Sequence, residues 1–118
     1  MTYVSGFLAA VPVANKDAYL RSAEKSWPLF KAAGALAQKE CWEADVPEGE
    51  VTSFPMAVKR EPGEAVVFSW ILWPDQATAH ACWARMETDP DWQAVFEGGM
   101  PFDGKRMIFG GFDMVFDA

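Results

Sequence analysis

Two basic dipeptides, Lys59-Arg60 and Lys105-Arg106, are the residues best suited by type to hold a charged ligand. If the fold brings Lys59 together with Lys105 or Arg106, the pair would grip a small carboxylate or phosphate, since guanidinium and ammonium groups both favour anionic oxygens. The competing reading is that these cations pair with acidic neighbours such as Asp103 and tie down loops, and the many surrounding carboxylates favour it. Asp103-Gly104 has its own turn chemistry: the Asp side chain bonds nearby backbone and Gly accepts a positive φ. His80 is the single histidine, so a multi-histidine metal site is excluded, and Gln76, Ala84 and Glu87 share its side of a helix. Without an orienting partner and a pocket it reads as a surface residue rather than a base. Ser53 and Ser69 lie in apolar stretches outside any Gly-x-Ser-x-Gly elbow, and read as structural hydroxyls. Glu40 and Glu43 differ by three positions, which on a strand puts them on opposite faces; they read as edge-strand charges rather than a carboxylate pair.

The aromatic residues Phe7, Trp42, Phe68, Trp70, Trp73 and Phe112 either line an apolar ligand cavity between two sheets or fill a core and a subunit interface. Taken together, the ligand-binding candidates are Lys59, Lys105 and Arg106 as polar anchors, with Phe68 and Trp70 as walls. No catalytic residue and no metal ligands can be named, and no cofactor motif is present.

These residues must be positioned by elements whose pattern is readable. Tyr3 to Val11 is apolar on both alternating faces, as in a central strand, and Pro12 ends it. Asn15 is placed to cap a helix with Tyr19, Ala23, Trp27 and Phe30 at helical spacing; Pro28 predicts a kink or early break, and Gly34 a stop. Leu36 to Asp45 mixes charges with Cys41 and Trp42, as an edge strand does. Val51 to Val58, interrupted by Pro55, predicts a short broken strand or structured excursion. Ala65 to Trp73 is again apolar on both faces, with Val66, Phe68, Trp70 and Leu72 on one side. Asp75 caps a second helix, and Asp89-Pro90 starts a third, short one. Met107 to Phe116 is a last strand in which Gly110-Gly111 marks a bulge or a close backbone approach.

The order strand, helix, strand, strand, helix, strand is the split βαβ arrangement of an α+β ferredoxin-like sandwich, an antiparallel sheet with helices on one face. Apolar inner strands on both faces then require a cover for the open face, and a second copy of the sheet is the simplest, so a homodimer is expected. At 118 residues, residues 1–118 form one domain, and 51% hydrophobic content excludes a disordered chain. A formal charge of -7 without a Lys/Arg run argues against nucleic acid. No bilayer-length apolar stretch or basic leader occurs, so neither membrane insertion nor export is expected. Cys41 and Cys82 form no Cys-x-x-Cys and read as reduced thiols of a cytoplasmic protein.

Three ordered blocks carry a resemblance: Val51 to Lys59 (VTSFPMAVK), Val66 to Ile71 (VVFSWI) and Met100 to Met107 (MPFDGKRM). They resemble the signature stretches of the YbaA-like family of uncharacterised bacterial proteins, and the similarity spans almost the whole chain. Membership of the dimeric α/β-barrel superfamily, which the resemblance implies, gives a ferredoxin-like protomer paired sheet to sheet. It implies no activity. Cofactor-free monooxygenases, lactone isomerases and haem-dependent enzymes occur elsewhere in that superfamily, but no catalytic motif of theirs matches here. The functional expectation is a small-molecule-binding protein or cofactor-independent enzyme with its pocket between sheet and helices or at the dimer interface; the alternative is a non-catalytic structural module.

Overall fold

The computed structural model describes Met1–Ala118. Four antiparallel strands form one sheet in the order β2-β3-β1-β4: β1 Tyr3–Pro12, β2 Ala37–Trp42, β3 Glu64–Trp73 and β4 Ile108–Asp113. The two strands that are apolar on both faces, β1 and β3, are the inner pair, in continuous register from Tyr3↔Trp73 to Pro12↔Glu64. The charged β2 is an edge, as its composition requires. Together with three helices, α1 Lys16–Ala32, α3 Gln76–Met86 and α4 Pro90–Val95, this is the ferredoxin-like α+β sandwich.

The helices pack on the face presented by Tyr3, Phe7, Ile71 and Trp73, where Phe30, Cys82 and Trp92 complete the main core. Phe30 is its hub, with ring centroids 4.7 Å from Trp92, 5.9 Å from Trp83 and 6.1 Å from Trp73, all edge-on as ring quadrupoles prefer. Trp73 is fully buried, and its indole N–H donates to Ser5 Oγ at 3.1 Å, so the polar handle of the largest core side chain is satisfied. The opposite face carries Val4, Leu8, Phe68, Trp70, Leu72 and Phe112. Only one end of it is covered, where Val58 packs on Ala10 and Val66. Phe68 is 46% exposed and Phe112 61%.

Several local expectations change in the structure. The helix α1 runs through Pro28 to Ala32 without breaking, and ends at Gly34, whose φ of +106° is the left-handed stop a glycine supplies. Asn15 sits at the start of α1 but does not cap it; its side-chain amide reaches instead to the Pro101 carbonyl at 2.9 Å, across the chain. Of the two expectations for this segment, a broken strand or a structured excursion, the structure takes the second, a helical turn, α2 Phe54–Ala57, because Ser53 Oγ accepts the Met56 N–H and Pro55 fits a first helical turn. Gly110-Gly111 is a close approach and not a bulge. The β1·β4 register is unbroken, and a Cβ on Gly111 would lie 1.6 Å from the Tyr3 hydroxyl.

Candidate functional site

The helix-facing side of the sheet is only partly filled by the aromatic core. Between it and the helices lies a cavity of about 580 Å³, the size of a small-molecule site. Its floor is built from small side chains at alternate strand positions, Ser5 and Ala9 on β1 and Ser69 on β3, and its roof from Ser22, Ala23 and Ser26 on α1. These serines and alanines make the room. Aromatic groups close the ends: Phe30, Trp83, Trp92 and Phe96 on one side, Tyr19 and Phe102 on another. His80 and Phe109 are lining residues that are also solvent-exposed, so they mark the mouth; the His80 ring stands edge-on to Tyr3 at 6.2 Å.

One polar cluster projects into this apolar space. Alternation along β2 aims Gln38 and Glu40 at the helices, beside the stripe of α1 that carries Tyr19, Ser22 and Ser26. The Tyr19 hydroxyl donates to Glu40 Oε1. The Gln38 amide donates to Glu40 Oε2 at 3.3 Å and to Ser26 Oγ at 3.2 Å, and the Ser26 hydroxyl donates to the Ala23 carbonyl at 2.8 Å. Gln38 Oε1 is buried and receives no donor. Burial pushes the Glu40 carboxyl above the usual carboxylate range, against the pull of its donors Tyr19, Gln38 and Ser69. Burial and then the charge of Glu40 push the Tyr19 phenol upward too. No lysine or arginine lines the cavity. A carboxyl group held in a largely apolar pocket by neutral donors, with a raised pKa, holds its proton more readily than a solvated one and can anchor the polar end of a ligand.

The residues favoured on sequence lie elsewhere. Arg106 gives both terminal nitrogens to Glu64 at 2.7 Å, its Nε to Asp103 at 3.0 Å and a further bond to the Lys59 carbonyl at 2.9 Å. The fold does join Lys59 and Arg106, but through the lysine backbone, where Lys59 holds a φ of +50°. The side chains of Lys59 and Lys105 are exposed. Arg60 forms a second clamp with both oxygens of Glu43, at 2.7 and 2.6 Å, and with Glu48; Glu43 Oε1 also accepts the Val66 N–H. Phe68 and Trp70 pack with tilted rings, centroids 5.3 Å apart, on the open face of the sheet, away from the cavity. Phe7 lines the cavity, Trp73 belongs to the core, and Trp42 lies beneath the Lys16 ammonium.

Glu40, Tyr19 and Gln38 were therefore missed. Their signal is that Gln38, Glu40 and Trp42 share one strand face, and that the apolar stripe of α1 is interrupted by Ser22 and Ser26 where a full core would carry larger side chains. Ser69 and His80, read as bland, both touch the cavity.

Comparison with known proteins agrees with this architecture. The chain is 53% identical over 117 residues to uncharacterized protein YbaA of Escherichia coli K12, covering 99% of each chain, and equally to that of Shigella flexneri. Among solved structures it resembles a dimeric ferredoxin-like protein from an uncultured marine organism, with TM-score 0.59, 13% identity and 99% and 98% of the two chains covered. An uncharacterized NIPSNAP domain protein from Burkholderia xenovorans superposes with TM-score 0.58 at 18% identity, covering 98% of each chain. These distant likenesses establish the ferredoxin-like fold. The family model described as protein of unknown function (DUF1428) matches residues 2–104, and with the full-length likeness to YbaA it shows that the chain belongs to that family.

Proposed function

We propose that the protein binds a small, largely apolar organic molecule in the cavity between sheet and helices, with the Tyr19–Glu40–Gln38 cluster as its polar anchor. Glu40 is then also the group placed to exchange a proton with that molecule, without a cofactor. The observation that carries this reading is a single, half-buried carboxyl projecting into a cavity of about 580 Å³ lined mostly by apolar side chains. A packed structural module has no use for such a group, because burying it costs stability and nothing positively charged repays it. A thermal-shift screen of neutral and charged aromatic and aliphatic compounds tests the proposal. Binders raise the midpoint with rising concentration and quench the cavity tryptophans, and Ala23→Phe, which fills the roof, abolishes both effects. A library without binders, or binders that Ala23→Phe leaves unaffected, would remove the cavity from consideration.

The open face supports a second, compatible proposal. The protein pairs as a homodimer through the sheet face bearing Phe68, Trp70 and Phe112, as the dimeric ferredoxin-like neighbour makes plausible by analogy of fold. Light scattering should give twice the chain mass, falling to one in Phe68→Lys; a wild-type monomer at all concentrations contradicts it. The unpaired Cys41 and Cys82 suit a cytoplasmic setting, and no helix is long and apolar enough to cross a membrane.

A further inference from the structure

Charge is distributed unevenly between the cavity and the rest of the surface. Of the ten lysines and arginines, none reaches the cavity lining, and the only carboxylate there is Glu40. The cations nearest in role to ligand anchors are committed or turned outward: Arg106 to Glu64 and Asp103, Arg60 to Glu43 and Glu48, Lys59 and Lys105 to solvent. An anionic ligand head entering the cavity would lose its water and meet Glu40, with His80 at the exposed mouth the one lining side chain of a type that can carry positive charge.

The hydrogen-bonding balance of the cluster points the same way. Its donors are already spent: Tyr19 O–H on Glu40, both Gln38 N–H groups on Glu40 and Ser26, and Ser26 O–H on the Ala23 carbonyl. Its acceptors are not, since a carboxylate offers more lone pairs than these donors fill and Gln38 Oε1 receives nothing. What the cluster lacks is a donor. The rings of Tyr19 and Phe102, whose centroids are 5.9 Å apart, and of Trp83 also line the cavity, and an aromatic face is a surface that favours positive over negative charge.

We infer that the ligand presents a hydrogen-bond-donating, non-anionic head to Glu40, an amine in preference to an alcohol, and an apolar body to the cavity aromatics; carboxylates and phosphates are rejected. This rests on the cavity reading above and sharpens it to a ligand class. An ammonium head would form a charge-assisted bond to Glu40, whereas a carboxylate of the same shape would face like charge.

The test uses three probes with one body and different heads: phenylbutylamine, phenylbutanol and phenylbutyrate, titrated by calorimetry and tryptophan fluorescence at neutral pH and moderate salt. The amine should bind tightest, with the carboxylate weaker by about tenfold or more, the factor that a charge-assisted hydrogen bond supplies. In Glu40→Gln, checked for folding by denaturant titration, the amine weakens, the carboxylate gains, and the order collapses. Should that variant fail to fold, the wild-type order alone decides. Phenylbutyrate binding as tightly as the amine, or a preference that survives Glu40→Gln, overturns the inference while leaving the cavity as a site. Failure of all three probes to bind overturns both.

Discussion

Glu64, at the start of β3, meets an arginine; Glu40, on the neighbouring β2, meets a phenol, an amide and a hydroxyl. The first carboxylate is gripped by two parallel bonds from Arg106, which hold its pKa below the usual range against the cost of burial. The second has only neutral donors, and burial wins, so its pKa rises. Two acidic side chains of one small sheet thus do opposite things to stability. The Glu64–Arg106–Asp103 clamp fastens the loop before β4 to the loop before β3. Glu40 has no such counter-charge to offset its burial.

The largest expected effect comes from breaking the clamp. Arg106→Met leaves Glu64, whose side chain is 7% exposed, without its counter-charge, and urea unfolding should show the largest loss of stability among these variants. The pH dependence has a definite sign. Glu64 and Asp103 are both depressed in the folded state by Arg106, so their contribution is present above the ordinary carboxylate pKa and disappears as pH falls through the folded values. The gap between wild type and Arg106→Met should therefore close in acid. Glu40→Gln should give a smaller change of the opposite sign, a gain at neutral pH. Because Glu40 is raised, it favours folding below its unfolded pKa, and that advantage is lost as pH rises through the folded value; the gain from Gln vanishes in acid. Equal pH profiles for the two variants would dissolve the contrast.

Most of the scaffold was legible in the sequence for one reason: apolar residues at period two on both faces of Tyr3–Val11 and Ala65–Trp73 have a single low-cost solution, the centre of a sheet. The helix starts at Asp75 and Asp89 were equally readable, because capping is local: Asp75 accepts the Thr78 N–H and Asp89 the Asp91 N–H. Where distant contacts decide, the reading failed. Asn15 gave up its cap for the Pro101 carbonyl, 86 residues on.

The site was harder for a related reason. Charged dipeptides announce themselves in a sequence, but in a chain with a surplus of carboxylates they are consumed by ion pairs, as Arg60 and Arg106 are. Glu40 looked like an ordinary edge-strand charge, since nothing within β2 reveals that Tyr19 on α1 will lie against it or that Ser22, Ser26 and Ser69 will leave the space unfilled. A cavity is a deficit of volume summed over elements, and no single segment carries it.

The most direct measurement follows the side-chain carboxyl carbons of Glu40 and Glu64 by carbon-13 NMR across a pH titration, with and without phenylbutylamine. Glu40 should titrate above the ordinary glutamate range and Glu64 below it, and the amine should move Glu40 downward while leaving Glu64 in place. Glu40 titrating at or below the ordinary range, or a probe that shifts Glu64 and not Glu40, would contradict the assignment of the cavity as the functional site.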